Sequence, residues 1–251
     1  VADPAGVRRA IGYVGQKTAS GSYHRVRDEL VNQGRAQRMG DAAAKKRADE
    51  LLGMLELDGL ADRDCASLSG GQKRRLDVAL GLMHTPRILF LDEPSTGLDP
   101  HSRANLWEHI LRIRRETGMT IFLTTHYLDE ADTMAERVMI MDEGRMIADD
   151  TPEALKANLA GDTIRLVLEG EAQALAAQAA AATLPDAREA IREGNAVRVT
   201  IGRGEAMLPR LITMLKEKGI TVAEANVKRP TLDDVFLGLT GRSLRETALA
   251  A

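Results

Sequence analysis

A chain of 251 residues is long enough for one sizeable α/β domain, or for a smaller one with an appendage. Its net charge of -3, with 28% charged and only 3% aromatic residues, argues against the basic footprint and the stacking platforms of a nucleic-acid binder. A single cysteine, Cys65, excludes an internal disulfide and fits a reducing cytoplasm, and no apolar run approaches the ~20 residues that cross a bilayer.

In chain order, Ile11 to Gly15 reads as a short strand bounded by glycine, and Lys17 to Gly40 is polar with weak helical character around Arg25 to Val31. Asp41 is the expected N-cap of a helix carrying Ala48, Leu51, Leu52 and Leu55 on one face. A further helix runs from about Gln72 to His84, with Leu76, Leu80 and Met83 in a row. Ile88 to Leu91 is a continuous apolar run, the pattern of a central parallel strand covered on both faces. Asp99-Pro100 supplies an N-cap and a first-turn proline for a helix that turns Leu106, Trp107, Ile110 and Ile113 inward and ends near Gly118. Met119 to Leu123 is the next strand, and Tyr127 to Ala135 a short helix. Val138 to Met141 and Arg145 to Ala148 flank Asp142-Glu143-Gly144, a hairpin signal, and Thr151-Pro152-Glu153 opens one more helix.

Composition shifts after Leu159-Ala160-Gly161-Asp162, read as a linker between residues 1–161 and 162–251. The second part reads strand, Ala-rich helix, two strands, helix, strand and a last helix from Leu232; β-α-β-β-α-β is the ferredoxin-like order.

Three places carry chemistry. In Leu68-Ser69-Gly70-Gly71-Gln72, Ser69 and Gln72 have the spacing of a capping box, and Gly70 and Gly71 bare a helix start to an approaching phosphate. Leu89-Phe90-Leu91-Asp92-Glu93-Pro94 delivers two adjacent carboxylates to the C-terminal edge of a sheet, where α/β folds bind ligands. Asp92 is placed to hold Mg²⁺, directly or through water, and Glu93 to polarise a water attacking a γ-phosphate. His126 closes the following strand, where a parallel neighbour sets it beside the same edge, and Gln16 closes the first; the Gln16 amide can coordinate a cation or water without adding charge.

Together these segments resemble the nucleotide-binding subunit of ABC transporters over Val7 to about Gly161. Gln16 matches the Q-loop, Leu68 to Gln72 the signature, Leu89 to Glu93 the Walker B strand, Ser95 to Pro100 the D-loop and His126 the switch histidine. The resemblance implies an ATPase with an incomplete ABC domain, a parallel sheet with helices and a helical subdomain, followed by a small α+β accessory domain. It implies a head-to-tail pair of subunits in which Ser69, Gly70 and Gly71 meet the γ-phosphate across the dimer, with Gln72 and Asp99 also at the nucleotide. Asp92, Glu93, Gln16 and His126 act on the nucleotide of their own chain, Asp92 and Gln16 toward Mg²⁺. The Gln16 loop and the helices after it receive a membrane permease, so the subunit is expected to be cytoplasmic and peripheral on the inner face of the membrane.

The ending Pro230-Thr231-Leu232-Asp233-Asp234-Val235-Phe236-Leu237, with Thr240-Gly241-Arg242, is similar to that of daunorubicin-resistance-type drug-export ATPases. Export of drugs or antibiotics is therefore the first expectation, with polysaccharide or lipid-like cargo as the alternative. Leu232, Val235, Phe236 and Leu239 also have the spacing that would pack a small domain whatever the cargo. A soluble ABC ATPase acting on ribosomes or DNA, and a non-catalytic regulatory module, are the competing classes; Glu93 and His126 speak against the second. A G-x-x-x-x-G-K-[ST] loop does not occur in these residues: Gly15-Gln16-Lys17-Thr18 interposes Gln16, and Ala10 stands where a glycine is needed. The sequence is therefore expected to be a truncated product, with poor nucleotide affinity by itself.

Overall fold

The computed structural model describes residues 3–21 and 23–240. The chain forms two compact units, Val1–His126 and Tyr127–Ala251. Gly241 and Arg242 of the expected tail pattern lie outside the described residues.

The first unit begins with a helix that the sequence reading did not anticipate, α1 (Pro4–Ala10), capped by the Asp3 carboxylate on the Gly6 amide with proline at its first position. It leads into β1 (Ile11–Val14). Then come α2 (Val26–Ala36), α3 (Asp41–Met54), α4 (Gly70–Leu82), β2 (Ile88–Asp92), α5 (Pro100–Thr117) and β3 (Thr120–Thr124). The N-cap of α3 is Gly40, with no side-chain cap; Asp41 is already inside the helix, and its carboxylate pairs with Arg35 and Lys45. Two cations within reach outcompete the local backbone for that carboxylate.

The three strands form a parallel sheet in the order β1-β2-β3, with Val14 opposite Leu91 and Asp92 opposite Thr124. Alternation along β1 and β2 turns Val14, Leu89 and Leu91 into the core. Helix α4 packs on that side so closely that a Cβ on Gly12 would stand 2.4 Å from the Gly81 carbonyl oxygen. Only glycine at position 12 permits this approach. Cover on both faces was expected for β2, but its other face is only partly buried at Ile88 and Phe90. The neighbouring Tyr13 and Phe122 are exposed, and the Phe90 ring packs on Phe122 at 5.3 Å with the two planes tilted by 45°. An apolar run reports what a strand can bury, not whether a layer lies on each side.

His109 on α5 is 1% exposed and sits among charges from three segments. Its Nδ1 lies 2.8 Å from Arg112 Nη2. Its Nε2 lies 3.4 Å from Arg75 Nη1 on α4 and 3.8 Å from Glu56 Oε2 in the turn after α3. Burial holds its pKa below the ordinary histidine value, Arg112 and Arg75 add to this, and Glu56 and Glu108 oppose it. As pH falls below about 6.5 the unfolded chain takes up a proton that the folded chain refuses, so stability must fall with pH in that window. The expected slope is up to about 1.4 kcal/mol per pH unit. Urea unfolding between pH 7 and 5, followed through buried Trp107, should show this slope, and His109→Gln should flatten it; an unchanged slope in the variant would exclude His109 as its source.

In the second unit, α6 (Leu128–Met134), the hairpin β4 (Val138–Asp142) and β5 (Arg145–Asp150), and α7 (Pro152–Leu155) follow in order. Glu143 and Gly144 both take positive φ in the hairpin turn, as the Asp-Glu-Gly signal implied. The linker read at residues 159–162 is instead largely regular structure: a π-helical turn reaches Ala160 and the next strand starts at Asp162, so Gly161, at φ +76°, is the single joint.

Strands β6 (Asp162–Leu168), β7 (Ala187–Glu193), β8 (Ala196–Ile201) and β9 (Val222–Lys228) alternate with α8 (Glu171–Ala181) and α9 (Gly204–Glu217). The sheet is antiparallel in the order β7-β8-β6-β9, the ferredoxin-like topology. Ala174, Ala177, Ala180 and Ala181 lay a small-residue stripe on Ile164, Leu166, Val197 and Val199, so the Ala-rich stretch is an ordered core helix. The last helix, α10 (Leu232–Thr240), does not join this core. Leu232 and Val235 pack instead with Ala131, Val138, Ile140 and Leu155, around the hairpin.

Candidate functional site

Strand β2 ends by passing Asp92 and Glu93 over the carboxyl edge of the sheet. Asp92 Oδ1 accepts the Thr124 hydroxyl at 2.6 Å, and Oδ2 accepts the Tyr13 hydroxyl at 3.2 Å. The Asp92 charge pushes the Tyr13 pKa up, which keeps that phenol a donor. Glu93 is folded back at φ +44°, a region that a non-glycine residue enters at a cost of about 1–3 kcal/mol. Its amide is tied to the Thr124 carbonyl at 3.0 Å and to the Thr124 hydroxyl at 3.2 Å. The turn aims the carboxylate along the edge, where Oε2 accepts Gln16 Nε2 at 2.7 Å and the Thr96 hydroxyl at 3.1 Å. His126 Nδ1 stands 3.3 Å from the same oxygen, with the imidazole 53% exposed to whatever lies above. Gln16, Asp92, Glu93 and His126 thus meet in one place, from the ends of three adjacent strands.

Ser69, Gly70, Gly71, Gln72 and Asp99 form a second group, at the N-termini of α4 and α5. The capping box is complete: the Gln72 amide donates to Ser69 Oγ at 3.3 Å, and the Ser69 amide donates to Gln72 Oε1 at 2.9 Å. The first-turn amides of Gly70 and Gly71 have no helical carbonyl behind them, so they remain donors for an incoming anion. Asp99 caps α5, accepting the Ser102 amide at 2.9 Å and its hydroxyl at 2.6 Å, and the hydroxyl holds its carboxyl below the usual range. The two helix starts touch, because a Cβ on Gly71 would lie 2.8 Å from Ser102 Oγ. An open cavity of about 290 Å³ lies between them, lined by Glu56, Ser69, Gly71, Gln72, Arg75, His101, Ser102 and Asn105.

Among the described residues no three His, Cys, Asp or Glu side chains gather as a metal cage. Mg²⁺ with a phosphorylated substrate binds through one or two carboxylates and takes its remaining ligands from phosphate and water. Asp92, with lone pairs beyond its two hydrogen bonds, and the Gln16 carbonyl oxygen are hard donors at one edge and fit that part.

Sequence reasoning missed Tyr13 and Thr124, which orient Asp92, and Thr96, which holds Glu93. It also missed Arg74 and Asp77, which are 6% and 2% exposed beneath the edge. Thr124 could have been found from strand register, one step before Thr125-His126. Arg74 stands in Lys73-Arg74-Arg75, a run that looks like a solvated helix face.

Comparisons with known proteins give the family. The family model described as ABC transporter matches residues 3–96, and that described as ATP-binding protein DrrA1-3-like, C-terminal domain, matches residues 151–240. The chain is 39% identical over 245 residues to the daunorubicin resistance ATP-binding protein DrrA2 of Streptomyces coeruleorubidus, covering 97% of this chain and 76% of that protein. It is 38% identical over 244 residues to the doxorubicin resistance ATP-binding protein DrrA of Mycobacterium tuberculosis, covering 96% of this chain and 73% of the relative. Among solved structures, CbiO1 from Clostridium perfringens, part of the ABC transporter complex CbiONQ, matches with a TM-score of 0.57 at 30% identity over 61% of each chain.

Proposed function

Because this chain belongs to the ABC transporter ATP-binding proteins of the daunorubicin-resistance type, and so is an ABC-type ATPase, we propose that it drives export of drugs or antibiotics through a membrane permease. The observation that carries the catalytic part is the convergence of Gln16 Nε2, Thr96 Oγ1 and His126 Nδ1 on one carboxylate oxygen, Glu93 Oε2. A carboxylate oxygen held by the Gln16 amide and the Thr96 hydroxyl has a fixed direction, which is what polarising a water for attack on a γ-phosphate requires. The half-exposed ring of His126, 3.3 Å from that oxygen, is placed to face the substrate phosphate. Bound Mg²⁺ would neutralise phosphate charge, and Asp92 and Gln16 are the residues that would hold it. Ser69, Gly70 and Gly71 supply helix-start amides to the nucleotide of a second copy in a head-to-tail pair.

Residues 1–161 serve in this reading as the ATPase domain and 162–251 as an accessory domain. Among the described residues no helix is long and apolar enough to cross a membrane. The subunit accordingly works at the inner face of the membrane through its permease. The test is daunorubicin uptake by inverted membrane vesicles that contain the subunit and its permease. Uptake should require hydrolysable ATP and Mg²⁺. Steady ATP hydrolysis with neither drug movement nor drug stimulation would rule out this cargo class.

A further inference from the structure

We propose that Arg74 is a positioning residue for this ATPase, fixing the backbone around both Gln16 and Glu93 so that their side chains meet. The proposal rests on the functional reading above and extends it to a residue buried beneath the catalytic edge. Arg74 lies in the second turn of α4, the helix whose start carries Ser69 and Gly70. Its Nη1 donates to the Gly15 carbonyl at 2.6 Å, immediately before Gln16. Its Nη2 donates to the Asp92 carbonyl at 3.0 Å and its Nε to the Pro94 carbonyl at 2.7 Å, so the residues on either side of Glu93 are both held. One turn further along α4, Asp77 Oδ1 accepts the amides of Ala19 and Ser20 at 3.0 Å each, on the far side of Gln16. Asp77 Oδ2 lies 4.0 Å from Arg74 Nη1, which balances the buried charge.

Both segments that must meet at Glu93 Oε2 are therefore bracketed from below by one helix. A buried guanidinium is costly unless its donors are met, and here three carbonyls accept them while the Asp77 carboxylate supplies the opposite charge 4.0 Å away. The arrangement needs the guanidinium fork: a lysine has one nitrogen on a flexible stem and cannot span three carbonyls that face different ways. The same helix that offers its N-terminus to a phosphate is thereby fastened to the chain's own water-polarising residue.

Arg74→Lys keeps the charge and removes the fork. In the subunit assembled with its permease, kcat should fall about tenfold to 10²-fold, as a small misplacement of reacting groups does, while the KM for ATP moves by less than about threefold. In the nucleotide-free protein, amide exchange over residues 15–21 and 92–96 should rise by roughly tenfold, with the thermal midpoint within a few degrees of wild type. In a Glu93→Gln background Arg74→Lys should lower kcat no further, because it acts through Glu93. Asp77→Asn is the second variant, for use if Arg74→Lys does not fold; its faster exchange should be confined to the Ala19–Ser20 side. Unchanged kcat and exchange in Arg74→Lys, or a loss that multiplies with that of Glu93→Gln, would overturn the proposal. So would unchanged exchange at Ala19 and Ser20 in Asp77→Asn. Wild-type turnover in Glu93→Gln alone would instead defeat the functional reading, while the exchange data still decide what Arg74 does.

Discussion

Within the complete protein, replacing Glu93 by Gln should lower ATP turnover by roughly 10²–10⁴-fold while leaving ATP binding within about threefold. The substitution is nearly isosteric, and the backbone aims the side chain: φ is +44° at this residue, and its amide is held by the Thr124 carbonyl and hydroxyl. The amide oxygen of glutamine can still accept the Thr96 hydroxyl, so the edge keeps its shape. What disappears is the negative charge facing His126 and Gln16, which the proposed mechanism uses to polarise water. The Asp92 oxygens instead accept the Thr124 and Tyr13 hydroxyls. Turnover within about threefold of wild type would assign the chemistry elsewhere.

Much of the arrangement was legible in the sequence where a short-range physical rule determines it. The Ser69-Gln72 capping box formed as its spacing implied, and Asp99-Pro100 opened α5 as an N-cap and first-turn proline should. The convergence of Gln16, Glu93 and His126 was readable because each closes a strand and parallel strands end on one edge. What was not legible depends on contacts far apart in sequence. Nothing local says that Arg74 and Asp77, alone among the charges of α4, turn under the sheet edge. The apolar face of α10 was plain, but the choice of the hairpin and α6 over the ferredoxin-like sheet rests on residues 131–155, about a hundred positions earlier. Asp41 looked like a cap because the rule weighs only the backbone, and Arg35 and Lys45 outweighed it.

The second large effect concerns which copy supplies which group. Glu93 and its partners sit at the strand ends, while Ser69 and Gly71 open α4 beside Ser102. In the head-to-tail pair proposed above, one composite site would take Glu93 from one copy and Ser69 from the other. Two heterodimers built from a Glu93→Gln and a Ser69→Phe substitution separate this from a site formed within one chain. With both changes on one copy and none on its mate, each site of a head-to-tail pair holds one defect, and hydrolysis should fall to background. With one change on each copy, both defects fall in the same site, the other site is intact, and up to about half of the wild-type rate should remain.

Measuring ATP hydrolysis of these two heterodimers side by side is the most direct test of the account. It predicts activity for the split arrangement and none for the combined one; the reverse order, or equal rates, would contradict a site shared between two copies.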